Sequence, residues 1–329
     1  MRIKKINTEL KSFFKFTYNL SKKKNLTYGP GGNTSIKLLN SLYVKSSGTW
    51  FKDALKKNSF IKINLNSIKK NIKRETKWEF NRSKYHPSIE TVIHAIINKK
   101  YVVHLHQISV LSYAVLKEGK KILNDKLKGF KWIWINYKKP GLPLAMEIKK
   151  KGNSDINIYI LQNHGIIYAA DTLERIDILL RKIETKLKRN FKLYLKNYKK
   201  KNSLIIKNFK RTKNKIIQDI VWNKKFFEVI KIKSLYPDHT VFLNNKIIII
   251  NSMKTFLLDK KVNKKIIVIK NYGVFINNNI TKVEYEMLKC LAELLIILPS
   301  NFELSFLNTK EEKELIGWDK EMLRQKINR

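Results

Sequence analysis

Two stretches of this chain are written to one plan, and that plan limits the folds open to it. Residues 158–184, IYILQNHGIIYAADTLERIDILLRKIE, and residues 266–294, IIVIKNYGVFINNNITKVEYEMLKCLAEL, each run apolar strand, Asn-aromatic-Gly, apolar strand, Thr, amphipathic helix. The spacing from Asn163 to Thr172 is matched within one residue by that from Asn271 to Thr281. An Asn-x-Gly turn between β-branched runs predicts a hairpin, and a Thr ahead of periodic apolar residues predicts a capped helix. Strand pairs followed by helices predict an α/β fold. The recurrence predicts a partial repeat whose second copy is degenerate, since Tyr272 stands where the first has His164.

The same signals organise the rest of the chain. Pro87–Asn98, PSIETVIHAIIN, predicts a helix with Ser88 as N-cap, Glu90 in the first turn and Ile89, Val92, Ile93, Ile96 and Ile97 on one apolar face. Tyr101–His106, YVVHLH, predicts a strand, Ile108–Lys121 a helix, Ile156–Gln162 a strand, and Thr172–Glu184 a helix capped by Asp171 or Thr172. The Lys-rich stretch 185–215 reads as a long helix or linker with a solvated charged face. A chain of 329 residues holds two cores, so a first domain is expected over 1–200 and a smaller one over 201–329. In the latter, Val241–Leu243, Ile247–Ile250 and Ile266–Ile269 are strand-like.

A net charge of +43 first suggests nucleic acid or an anionic membrane. Only 9 of the 69 basic residues are Arg, however, and the Lys residues are scattered among an excess of Ile and Asn, as compositional drift would leave them. Neither clustered Arg nor an aromatic stacking platform is evident, so no nucleic-acid partner is expected. The single Cys290 excludes an internal disulfide and a Cys-rich zinc site. Met1–Lys5 is not followed by an apolar segment, and no apolar run approaches the ~18 residues of a membrane span. A cytoplasmic protein with no membrane partner is expected.

Chemistry concentrates on three histidines. In a strand, residues two apart share a face, so His104 and His106 present two imidazoles side by side, either half-exposed or as ligands. His164 ends a separate apolar strand at Asn163-His164-Gly165, where a partly buried imidazole needs a partner. Three histidines without thiolates make an open catalytic zinc site, and Glu90 supplies a carboxylate for moving a proton. Tyr28–Lys37 (YGPGGNTSIK) and Ser46–Thr49 (SSGT) are small, hydroxyl-rich turns that either cradle an anion or simply reverse the chain. His94 reads as a structural histidine in its helix, His239 beside Asp238 either as a hydrogen-bonded structural pair or as a residue approaching the active site, and Trp132 and Trp134 as core.

These motifs resemble the class II aldolase/adducin family from the N-terminal region through Glu184. GGNTSIK (Gly31–Lys37) looks like its GNxS loop, VKSSGT (Val44–Thr49) its second loop, PSIE (Pro87–Glu90) its PSSE motif, VVHLH (Val102–His106) its metal strand and QNHG (Gln162–Gly165) its metal turn. YKKPGLPLA (Tyr137–Ala145) and YPDHTVFL (Tyr236–Leu243) look like the longer, sugar-associated members. The resemblance implies an α/β/α fold with a central, mainly antiparallel sheet and a homo-oligomer, a tetramer. It implies Zn2+ on His104, His106 and His164, Glu90 as acid/base, and Asn33, Ser35, Ser47, Gly48 and Ser88 holding a phosphate. The implied activity is a lyase that cleaves a ketose or ketose phosphate through an enediolate, with a small-molecule sugar as partner. Related epimerase, dehydratase or decarboxylase chemistry uses the same site, and a non-catalytic adducin-like binding protein is the other outcome. Ile89 replaces the second Ser of PSSE, which weakens the anion half of the site. Family members also draw a Tyr from a neighbouring subunit, for which Tyr137 is the candidate.

Overall fold

The computed structural model describes residues 2–73, 85–190, 206–244, 246–251, 264–299, 301 and 303–327. The chain forms two compact units, one of residues 1–114 with 118–188 and one of 115–117 with 189–329.

The first unit is built on strands β1 (Asn33–Leu38), β2 (Ser41–Lys45), β3 (Phe60–Asn64), β4 (Tyr101–Leu105), β5 (Trp132–Ile135), β6 (Ile158–Leu161) and β7 (Gly165–Ala170). They form a seven-stranded sheet in the order β3-β2-β1-β4-β7-β6-β5. All of its neighbours run antiparallel except β5 and β6, so the expected mainly antiparallel sheet is present. Its helices are α1 (Arg2–Leu20), α2 (Leu65–Lys73), α3 (Thr91–Ile96), α4 (Ile108–Ala114), α5 (Gly119–Lys126), α6 (Leu142–Lys151) and α7 (Leu173–Leu187).

Strand side chains alternate between faces, and both faces are covered. On one, Ile68 of α2, Val92 and Ile93 of α3 and Leu144 and Ile148 of α6 pack with Val102, Ile167 and Ala169 of the sheet. On the other, Thr17 of α1 meets Thr34 of β1 at 3.0 Å, and the Tyr168 hydroxyl donates to Gln107 Oε1 at 2.7 Å beside α4. Three layers result, α/β/α.

Several local expectations shift. The Asn-Thr-Ser segment is the start of β1, not part of a turn, because its backbone pairs with both β2 and β4. The helix expected over Pro87–Asn98 is only Thr91–Ile96. Its start is delayed because Pro87 pairs with Ser46 as an isolated bridge. Its end is drawn off by Lys37, whose Nζ donates to the carbonyls of Ile97 and Lys99 at 2.8 Å each. Burial pushes the Lys37 amine down to about 7. The helix expected over Ile108–Lys121 is broken, α4 ending at Ala114 and α5 starting at Gly119. Thr172 caps α7, its hydroxyl accepting from the Arg175 N–H.

The second unit contains β8 (Phe209–Arg211), α8 (Lys215–Asp219), α9 (Lys224–Ile232), α10 (Pro237–Leu243), β9 (Ile247–Ile250), β10 (Ile266–Ile269), β11 (Gly273–Asn277), α11 (Lys282–Ile297), α12 (Thr309–Ile316) and α13 (Asp319–Ile327). Val241–Leu243 is not a strand but the last turn of α10, whose first residue, Pro237, presets a helical φ. Residues 191–205 of the Lys-rich stretch lie outside the described residues; its start closes α7, and its end forms β8 and begins α8 rather than one long helix. The four strands pair in the order β8-β11-β10-β9, with β9 and β10 parallel and the others antiparallel. That is the pairing of β4-β7-β6-β5 in the first unit. The turns agree too: Asn163 and Asn271 have φ of 53° and 56°, and the N–H groups of His164 and Tyr272 donate to Leu161 and Ile269 at 3.1 and 3.0 Å. Among the described residues no helix is long and apolar enough to cross a membrane.

Candidate metal centre

The centre forms where three adjacent strands end together. In the register of the sheet, His104 lies between Asn33 of β1 and Ile167 of β7. His106 follows two residues later on the same face, and His164 sits in the turn that delivers β7 back beside β4. Two glycines permit this approach. A Cβ at Gly32, with φ at 72°, would stand 2.7 Å from the His104 carbonyl oxygen. One at Gly165 would stand 2.4 Å from the Leu105 carbonyl oxygen and 3.4 Å from both the His104 and His106 rings.

The three rings are buried, and one ligand nitrogen from each lies within 4.8 Å of the others. His104 Nε2 and His106 Nε2 are 3.1 Å apart. Tetrahedral zinc on imidazoles would set its nitrogens about 3.3 Å apart, so the donor set and the His104–His106 spacing fit that ion. The Nδ1 of His104 faces the carbonyl oxygen of Ile166 at 3.0 Å, so it carries the proton and leaves the Nε2 lone pair turned to the cluster.

Glu90 closes the constellation. It is 5% exposed and is the residue just before α3, with its Oε2 3.4 Å from His104 Nε2 and its Oε1 3.5 Å from His164 Nε2. Burial raises its carboxyl pKa, whereas positive charge on the His104 and His164 rings, when they are protonated, and an Asn33 hydrogen bond draw it well below the usual carboxylate range. The result is a buried carboxylate beside two ring nitrogens in a nearly dry environment.

Of the remaining predicted residues, Asn33 and Ser88 contact Glu90 directly and the others lie behind them or at the second turn. Asn33 Nδ2 donates to Glu90 Oε2 at 2.7 Å and to Ser88 Oγ at 3.1 Å, and Ser88 Oγ accepts the Glu90 N–H at 3.3 Å. Ser35 is fully buried, with its hydroxyl 2.7 Å from His94 Nδ1. Ser47 and Gly48 lie beyond β2, where the Ser47 N–H donates to the His86 carbonyl at 2.6 Å and the neighbouring Ser46–Pro87 bridge holds the turn alongside Ser88. The Tyr137 N–H donates to Gln162 Oε1 at 3.2 Å, next to the metal turn. His239 is buried in α10 and accepts the Leu235 N–H at 3.2 Å, while Asp238 pairs with Arg324 and not with His239.

Lys45 escapes the sequence reading, and His94 reads there only as structural. Lys45 is 2% exposed, and its Nζ donates to the carbonyls of Pro30 and Thr49, tying the first small turn to the second with a buried positive charge. Among so many lysines it carries no distinguishing signal, apart from its place between a strand and Ser-Ser-Gly. His94 faces Asn33 and Ser35. Its position four residues after Glu90 on one helical face is the signal that could have linked the two.

The family model for the class II aldolase and adducin N-terminal domain matches residues 16–188. The chain is 28% identical over 166 residues to "Uncharacterized oxidoreductase YuxG" of Bacillus subtilis, a match covering 44% of this chain and 24% of that protein. The chain therefore spans about a quarter of that relative's length. Among solved structures, the N-terminal class II aldolase domain of a conserved Thermoplasma acidophilum protein aligns with TM-score 0.45 at 22% identity, over 53% of this chain and 92% of that one. A sugar-phosphate aldolase from Thermotoga maritima aligns with TM-score 0.45 at 17% identity, over 55% and 94%. An L-fuculose-1-phosphate aldolase from Thermus thermophilus aligns with TM-score 0.41 at 15% identity, over 56% and 93%. With the family model spanning more than half of the chain, this protein belongs to the class II aldolase and adducin family.

Proposed function

We propose that the protein is a zinc-dependent lyase of carbohydrate metabolism that cleaves a ketose or ketose phosphate by a retro-aldol step through an enediolate. One observation carries this reading: three convergent imidazoles with a buried carboxylate 3.4 and 3.5 Å from two of them. His104, His106 and His164 would hold the ion, which when bound supplies the positive charge that stabilises enediolate oxygens. Glu90 takes and returns the proton at the carbon that becomes nucleophilic when the C–C bond breaks. Ser47, Gly48 and Ser88, with Lys45 behind them, form the anion side of the site, while Asn33 commits its NH2 to Glu90 and Ser88, and Ser35 supports it through His94. The smallest ketose phosphate satisfies both halves.

The catalytic domain we assign to residues 1–200, and 201–329 to a smaller domain that is a degenerate partial copy. Shared strand pairing and turn geometry support the copy. In that alignment Arg211 pairs with Phe275 as His104 pairs with Ile167, so Arg211, Lys213 and Tyr272 take the places of His104, His106 and His164. Two cations and a phenol do not make a zinc site. Assembly as a homo-tetramer in the cytoplasm belongs to the same proposal and is read by sedimentation.

The test is hydrogen exchange without cleavage. Zinc-loaded protein in deuterated water should exchange a carbon-bound proton of dihydroxyacetone phosphate, and comparison with free dihydroxyacetone reads the worth of the phosphate. Absence of exchange from both, with zinc bound, would overturn the lyase reading.

A further inference from the structure

We propose that His94 is a positioning residue for Glu90, acting through Asn33. The inference rests on the reading of Glu90 as the proton-transfer group and adds a residue to it. His94 is fully buried, with its Nδ1 2.7 Å from Ser35 Oγ and its Nε2 against Asn33 Oδ1. On the far side of Asn33, Nδ2 donates to Glu90 Oε2 at 2.7 Å and to Ser88 Oγ at 3.1 Å. Four side chains therefore form one line from β1 through α3 to the carboxylate.

The proton positions along that line follow from its end. A carboxylate only accepts, so Asn33 must turn its NH2 to Glu90 and its carbonyl oxygen to His94. A carbonyl also only accepts, so His94 carries its proton on Nε2. Nδ1 is then an acceptor, and the Ser35 hydroxyl donates to it. Burial holds the ring neutral, with its pKa pushed down to about 3, which removes the doubly protonated form that would leave Ser35 without a donor's role. Were the Asn33 amide reversed, its oxygen would face the Glu90 oxygen and each would repel the other. The imidazole thus fixes which edge of Asn33 meets the catalytic carboxylate, as outer hydrogen bonds fix ligand orientation in other buried polar sites.

The structural alternative is that His94 merely satisfies two buried polar neighbours, and three measurements separate them. In protein labelled with 15N-histidine, His94 should be the Nε2–H tautomer across about pH 6 to 8, which the ring-nitrogen shifts read directly. In His94→Leu, the protected Asn33 side-chain amide should exchange with solvent at least about tenfold faster, since its oxygen loses its donor. In the same variant, exchange of dihydroxyacetone phosphate should fall about tenfold or more in kcat with KM within about threefold and bound zinc unchanged, and His94→Gln, which restores an N–H at that reach, should recover most of it. If His94→Leu does not fold, Ser35→Ala, which removes only the outer partner, should shift the tautomer balance and lower kcat in the same direction. A Nδ1–H tautomer, an Asn33 amide indifferent to His94, or wild-type kcat in His94→Leu overturns the inference. If wild type exchanges no ketose while both resonance results hold, the lyase reading fails and the placement of Asn33 by His94 stands.

Discussion

His104 donates its Nδ1–H to the carbonyl oxygen of Ile166 at 3.0 Å, across the β4–β7 ladder. The ring is therefore oriented by backbone, before any ion arrives, with its second nitrogen 3.1 Å from that of His106. Metal analysis of the purified protein should find about one zinc per chain, and a His104→Ala, His106→Ala double variant should lose it while staying folded. Folded wild type that takes up no zinc at any concentration tested would remove the centre.

Glu90 sits close enough to the rings to serve as either a ligand or a base, and one substitution separates the roles. Glu90→Gln keeps the shape and the Asn33 neighbour but cannot accept a proton at pH 7. Zinc content should match wild type, and ketose proton exchange should fall at least about 100-fold. Unchanged exchange would assign the base elsewhere, and lost zinc would make Glu90 a ligand.

The metal turn also predicts a contrast between two glycines. A methyl at Gly165 would meet the Leu105 carbonyl oxygen at 2.4 Å, whereas one at Gly129 has nothing within 4 Å and only its positive φ of 87° to resist it. Gly165→Ala should therefore cost about 2 kcal/mol or more and weaken zinc binding. Gly129→Ala should cost about 1 kcal/mol and leave the metal untouched. Urea unfolding with and without zinc reads both.

His239 gives the second unit an acid sensitivity. Burial depresses its pKa from 6.5 to about 4. Between those values the unfolded chain binds a proton that the folded chain refuses, so stability falls as pH falls, by up to about 1.4 kcal/mol per pH unit. His239→Gln should flatten this dependence between pH 6.5 and 4. Unfolding midpoints of wild type and variant at two pH values within that window suffice, and parallel slopes would mean that the folded state accepts the proton.

Much of the candidate site was legible because a metal-binding triad would demand particular side chains at particular spacings. Strand alternation put His104 and His106 on one face, and an Asn-His-Gly turn announced His164. The surroundings were harder to read because they depend on contacts distant in the chain. Polar Asn33-Thr34-Ser35 resembles a loop by composition and is a buried strand because β2 and β4 flank it. The α3 helix is shortened by Lys37, sixty residues away in sequence, and no local periodicity reports that. Val241-Phe242-Leu243 has strand propensity but follows a helix already started at Pro237 and fastened where Arg324 meets Asp238.

The hairpin turn occurs twice with the same backbone, once around His164 and once around Tyr272. Its shape is thus set by the flanking Asn and Gly and is indifferent to the residue between them. That middle position behaves as a socket: an imidazole plugged into it joins the His104 and His106 rings, a phenol stacks on Phe275, and the turn folds alike around either. Reactivity in this architecture can be installed or withdrawn by exchanging side chains, with no redrawing of the chain's path.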